Sequence, residues 1–186
     1  RFRKLPVVFL ETRMAAMEGG LAGLAGSSGM AAINYAILTI AKAGDNIVST
    51  PQLYGGTYTL FAHMLPSQGI EVRFAEDDSA EAIEKLIDEN TKAVYCETIG
   101  NTAGNIIDLA PVCEAAHRHG VAVIVDNTVA SPALCNPIEF GADIVVHSLT
   151  KYVGGHGTTI GGVIVDSGKF PWAEHARRYP ELNQPV

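Results

Sequence analysis

The stretch Val121-Ala122-Val123-Ile124-Val125-Asp126-Asn127-Thr128 decides the architecture. Five apolar residues, four of them β-branched, run without a polar break into an aspartate. A strand wetted on one face would alternate; an unbroken run is the pattern of a strand covered on both. Ahead of it, Asp108 opens a helical pattern with Leu109, Val112, Cys113 and Ala116 on one side, closing at His117-Arg118-His119-Gly120. Similar short runs occur at 46–50, 71–75, 93–97, 143–147 and 160–166, and 22–26 is a seventh candidate. Helical patterns lie at 7–17 (Leu10, Met14 and Met17 at helical spacing), from Met30 toward Gly44, at 58–65, and after Ser79 as N-cap. Strands alternating with helices predict an α/β fold: a seven-stranded, mostly parallel sheet with helices on both faces. Only about a dozen residues, Gly-rich and without helical pattern, separate His147 from Ile160. That is near the lower limit for a parallel crossover, so the last strand is expected to be antiparallel to its neighbour.

Composition narrows the function. In 186 residues, 13 Lys+Arg stand against 20 Asp+Glu, a net charge of −7. The overall field repels phosphate backbones and anionic headgroups, so neither nucleic acid nor membrane is an expected partner. Cys96, Cys113 and Cys135 are odd in number and show no metal or redox spacing. They read as small buried residues in a reducing compartment. His117 and His119 point to different helix faces and make no metal pair; favouring the helix C-terminal dipole is their plainest role. No metal is expected. The apolar run Val7-Val8-Phe9-Leu10 stops at Glu11, too short for a secretion signal, so the cytoplasm is the expected location.

In open α/β sheets ligands bind beyond the carboxyl ends of the strands. Ser28, Gly29 and Met30 follow the first candidate strand and open a helix. Tyr54, in Leu-Tyr-Gly-Gly-Thr, follows the second; Glu97 ends the fourth, with Asn101 close behind. Asp126 ends the fifth, and Ser148, Thr150 and Lys151 follow the sixth. Singly each has a plain reading: an N-cap, a turn aromatic, a turn cap, a surface charge. Together they suit pyridoxal phosphate. Its phosphate takes N–H groups and hydroxyls, its ring a flat neighbour, its ring nitrogen a carboxylate, and its aldehyde a lysine. The glycine fingerprints of nucleotide folds are absent.

The run from Ala142 to Gly157, Ala-Asp-Ile-Val-Val-His-Ser-Leu-Thr-Lys-Tyr-Val-Gly-Gly-His-Gly, resembles the cofactor-lysine signature of the Cys/Met-metabolism, pyridoxal-phosphate-dependent enzymes. The resemblance covers essentially the whole chain. It implies the large domain of the aspartate-aminotransferase-like fold (fold type I). It implies that Lys151 carries the cofactor as a Schiff base and that Tyr54 stacks on the ring and aids proton transfer. Ser28, Gly29, Met30, Ser148 and Thr150 match the phosphate site, Asp126 the ring-nitrogen partner, and Glu97 and Asn101 residues near the ring. The stretch 154–162 is similar to the sulfhydrylase version of the family. The reaction implied is γ-replacement, O-acetylhomoserine with sulfide or a thiol giving homocysteine or methionine and acetate. A γ-lyase acting on methionine or cystathionine, or a catalytically silent cofactor domain, are the alternatives. The resemblance also implies a homo-oligomer, a dimer of dimers. It divides the chain into an N-terminal helix (1–20), a cofactor-binding domain (21–170) and a linker (171–186) toward a smaller C-terminal domain beyond Val186. An N-terminal arm ahead of Arg1 is implied too, with Arg1 aligning with its phosphate-binding arginine. Lys4-Leu5 stand where Asn-Pro is common in the family, and Thr102 follows Asn101 where Pro is usual.

Overall fold

Residues 5–101 and 103–184 are described by a computed structural model; the expectations at Arg1, Lys4 and Thr102 lie outside the described residues. Seven strands, β1 (Ala22–Gly26), β2 (Asn46–Ser49), β3 (Glu71–Phe74), β4 (Thr91–Glu97), β5 (Ala122–Asp126), β6 (Ile144–Ser148) and β7 (Gly162–Asp166), form one sheet in the order β1-β7-β6-β5-β4-β2-β3. The pairs among β3, β2, β4, β5 and β6 are parallel. β7 is antiparallel to both β6 and β1, as the short, helix-free connection from β6 requires. β1 therefore runs the same way as β6, and the carboxyl ends of β1, β2, β4, β5 and β6 share one edge.

Both faces are covered. On one, Met14 and Ala15 of α1 (Leu5–Glu18), Ile83 of α5 (Ala80–Glu84), and Val112, Cys113 and Ala116 of α6 (Leu109–Arg118) pack on Val94, Val123, Val125 and Val145. On the other, Ile33, Ile37 and Ile40 of α2 (Gly29–Ile40) join Phe61, Leu65, Tyr95, Ile124, Val146, Phe170 and Tyr179. Neighbours in β5 thus alternate between the two cores, which accounts for its unbroken apolar run.

Two expectations need correction. The buried face of α1 is Glu11, Met14, Ala15 and Glu18, while Leu10 and Met17 are exposed. Hydrophobic spacing misses this face because its glutamates are matched by distant partners: Glu11 accepts from the Ala25 backbone N–H at 2.9 Å, and Glu18 bonds His147 and Asn127. The predicted helix at 58–65 is part of a longer composite: α3 (Gly55–Thr59), a π-helical turn (Leu60–Met64) and α4 (Leu65–Ser67). Pro66 has no N–H to donate and its ring crowds the carbonyl four residues back, so the wider turn precedes it. The two histidines closing α6 also have carboxylate partners besides the helix dipole. His117 Nε2 lies 2.8 Å from Asp143 and His119 Nε2 lies 2.9 Å from Glu84. No helix among the described residues is long and apolar enough to cross a membrane.

Candidate active site

A cavity of about 710 Å³ opens at the carboxyl edge of the sheet. Ser28, Gly29, Met30, Tyr54, Glu97, Asn101, Asp126, Ser148, Thr150 and Lys151, all ten positions singled out in the sequence, line it. They come from five separate strand ends.

At the β1 end, Ser28 has an extended backbone and caps α2, its Oγ accepting from the Ala31 N–H at 3.1 Å. That leaves its hydroxyl proton free to donate. The helix start presses against the neighbouring strands: a Cβ on Gly29 would lie 2.6 Å from Ser148 Cβ, and one on Gly162 only 2.0 Å from the Ser28 carbonyl oxygen. Glycine here lets backbone meet backbone, and Gly29 and Met30, the first residues of α2, line the cavity with Ser148.

The β2 end leads to Tyr54, whose ring is about half exposed. Its backbone N–H donates to Glu97 Oε1 at 2.7 Å, and Gly56 leaves room for the ring, since a Cβ there would meet Tyr54 Cε1 at 2.6 Å. Glu97 is 6% exposed, and burial pushes its carboxyl up to about 7 against the pull of the Tyr54 and Asn101 N–H groups.

Asp126 ends β5 directly beside Glu97 in the parallel ladder. Its Oδ1 accepts from the Thr128 N–H at 2.9 Å and its Oδ2 from the Tyr95 hydroxyl at 3.3 Å. Burial raises its carboxyl; the Thr128 and Tyr95 hydrogen bonds and the nearby His147 oppose that rise. Thr128 Oγ1 also accepts from the Ser148 N–H at 2.8 Å, tying the ends of β5 and β6 together. Beyond Ser148, Thr150 Oγ1 exchanges hydrogen bonds with the Gly161 backbone at 3.2 and 3.3 Å. Lys151 follows, its N–H on the Ser148 carbonyl at 3.1 Å and its own carbonyl accepting from Gly155 N–H at 2.8 Å. The lysine's backbone is thus held from both sides while its side chain stays accessible.

Tyr95 and Thr128 were not singled out from the sequence. Thr128 stands in the quoted Asp-Asn-Thr run. Tyr95 lies two residues before Glu97, the spacing that puts two side chains on one strand face. The thiols take no part: burial pushes Cys96 well above its usual value and Cys113 up to about 12. Among the described residues no cluster of His, Cys, Asp and Glu could hold a metal ion.

A lysine among hydroxyls, a strand-end carboxylate and an aromatic ring, all around one cavity beside a helix N-terminus, define an α/β domain built to hold a phosphorylated aldehyde cofactor. The profile of the Cys/Met metabolism PLP-dependent enzymes matches residues 1–182, and the chain belongs to that family. It is 55% identical over 187 residues to a homocysteine/cysteine synthase of Saccharomyces cerevisiae, covering 100% of this chain and 42% of the relative. It is 53% identical over 178 residues to an O-acetyl-L-homoserine sulfhydrylase of Thermus thermophilus, covering 95% of this chain and again 42% of the relative. A Campylobacter jejuni crystal structure, assigned as an O-acetylhomoserine (thiol)-lyase and containing N′-pyridoxyl-lysine-5′-monophosphate, superposes with a TM-score of 0.90 at 40% identity. That match covers 93% of this chain and 43% of the other. The chain therefore spans less than half the length of these relatives.

Proposed function

We propose that this chain is the cofactor-holding domain of a γ-replacement enzyme, converting O-acetylhomoserine and sulfide, or a thiol, to homocysteine, or a thioether, and acetate. The observation that carries the reading is that, among the described residues, Lys151 is the one lysine that lines the cavity, together with Asp126, Tyr54 and Gly29 at the start of α2. The relatives' names, homocysteine synthase and O-acetylhomoserine sulfhydrylase, support the choice of substrate and acceptor.

The residues present fit pyridoxal phosphate. Gly29 forms a cradle that a Cβ would fill, with the Ser28 and Ser148 hydroxyls beside it. These, with Thr150 and the N-terminal N–H groups of the 12-residue α2, would take the phosphate. Tyr54 would lie against the ring, and Asp126 would keep a proton on its nitrogen. Bound there, the cofactor would supply an aldehyde and an electron-withdrawing ring. Lys151 would bind the aldehyde, and its amine is the group placed to take and return protons at the substrate's Cα and Cβ. In the net reaction the Cγ–O bond breaks, a Cγ–S bond forms, and the proton lost by the sulfur nucleophile balances the acetate released.

The division at residues 20 and 170, the cytoplasm and a homo-oligomer belong to the same proposal. Three thiols without a disulfide support the compartment, and the exposed Leu5, Phe9, Leu10 and Met17 of α1 support a covering partner.

Incubation with pyridoxal phosphate should give a visible absorption band, and borohydride should fix the label on the peptide holding Lys151. Lys151→Ala should take up no fixed label. Label on Lys42 or Lys169 in the unaltered chain would overturn the assignment. In a longer, cofactor-loaded enzyme that contains this domain, homocysteine should form only when sulfide is present. An oxo acid released without sulfide would mark γ-elimination instead.

A further inference from the structure

Behind the cavity lies a buried polar contact for which neither packing nor the cofactor inventory accounts. The Tyr95 ring has no solvent exposure and packs edge-on against Phe61, with centroids 4.9 Å apart at 83°. As a core residue it needs nothing more, and phenylalanine would fill the same space. Yet its hydroxyl donates to Asp126 Oδ2 at 3.3 Å. One hydrogen bond thus runs from the buried phenol of β4 to the carboxylate at the cavity floor, while the Thr57 hydroxyl of α3, the helix that begins directly after Tyr54, is directed at Met30 Sδ, 3.9 Å away.

We propose that Tyr95 is a positioning residue for Asp126: its hydroxyl fixes the carboxylate plane so that one lone pair points at the ring nitrogen of a bound pyridine cofactor. The inference rests on the cofactor reading above. Asp126 Oδ1 is held by the Thr128 N–H at 2.9 Å and Oδ2 by Tyr95, so neither oxygen can swing about the Cβ–Cγ bond without losing a partner. A carboxylate oxygen accepts more than one hydrogen bond, so both oxygens keep capacity for a ring N–H. Donation to the ionised form also opposes the burial that disfavours it. The donor is dependable, because burial and the Asp126 and Glu97 charges push the phenol well above its ordinary value and keep it protonated.

The test compares two ligands on two proteins: pyridoxal phosphate and its deaza analogue, which carries C–H in place of the ring nitrogen, on the unaltered chain and on Tyr95→Phe. Dissociation constants come from equilibrium dialysis with absorbance. Tyr95→Phe should weaken pyridoxal phosphate about tenfold, the loss of one hydrogen bond to a charged group, and change the affinity for the deaza analogue less than about twofold by the same arithmetic. A role in packing alone would lower both affinities alike or neither, and either result overturns the proposal. A Tyr95→Phe chain that no longer folds, judged by circular dichroism, also overturns it, since the hydroxyl would then be structural. If the unaltered chain binds neither ligand, the cofactor reading falls and this inference with it.

Discussion

Glu97 Oε1 lies 2.7 Å from the backbone nitrogen of Tyr54, 43 residues earlier in the chain, and this contact fixes the turn that presents the aromatic ring. Glu97 is also a titrating group, with burial acting against this contact. Its carboxyl, 4.5 when unperturbed, is pushed up to about 7 by burial. The folded state therefore holds a proton between those values that the unfolded chain releases, so Glu97's contribution favours folding at low pH and fades as pH rises through 7. Glu97→Gln cannot ionise. Its stability relative to the unaltered protein should improve by up to about 3 kcal/mol between pH 4.5 and pH 8. Urea unfolding at several pH values measures the difference, and a pH-independent gap would show that burial does not hold the proton.

Glu18 and His147 form a pair with no solvent exposure, and Glu18 also accepts from Asn127 Nδ2 at 2.9 Å. Asn127 adjoins Asp126 and His147 adjoins Ser148, so this cluster fastens the two strand ends that carry the cavity floor. Glu18→Ala should cost about 3–5 kcal/mol, because it leaves His147 and Asn127 short of a buried partner. Replacing both members, Glu18→Leu with His147→Leu, should recover part of that loss, since no uncompensated charge remains. A double variant no better than the sum of the single losses would count against the pairing.

The glycines that end β1 and begin α2 are not equivalent. A Cβ on Gly26 meets nothing within 4 Å, whereas on Gly29 it meets the Ser148 Cα and Cβ at 2.9 and 2.6 Å. Gly29→Ala should cost about 1–3 kcal/mol and push the start of α2 away from Ser148, weakening cofactor binding together with stability. Gly26→Ala should leave both within error. Equal behaviour of the two variants, in thermal melts and cofactor titration, would remove the close approach as the reason for Gly29.

The sheet was readable because its central strands are covered on both faces and so appear as unbroken β-branched runs, such as 121–125. The antiparallel β7 was readable from chain length alone, since the residues between His147 and Ile160 leave no room for a crossover helix. The ten cavity positions could be collected because strand carboxyl ends converge in such a sheet. Polar groups inside the cores were not readable. Glu18 belongs to a pair whose other member lies 129 residues away, and hydrophobic spacing assigns any glutamate to solvent. Tyr95 likewise reads as one more core aromatic, because its hydroxyl's partner sits on the next strand.

Tyr179 shows the same blindness to buried hydroxyls, at the opposite edge of the sheet. It is 1% exposed, with Trp172 and Phe170 edge-on to its ring at centroid distances of 5.0 and 5.6 Å. The β4–β5 register begins at Ala93 and Ala122, and two backbone groups at this margin bond instead to the tyrosine. Its oxygen accepts from the Ala122 N–H at 3.0 Å, and its proton goes to the Lys92 carbonyl at 2.8 Å. Tyr179→Phe keeps the ring contacts and strips both buried groups of their partner. At roughly 1–3 kcal/mol for each unsatisfied group, the variant should lose about 2–6 kcal/mol. Amide exchange at Ala122 should accelerate, and cofactor binding at the far edge should hold as long as the chain stays folded. A loss under about 1 kcal/mol, the net worth of an ordinary hydrogen bond, with Ala122 still protected, would mean that water or a backbone shift replaces the hydroxyl.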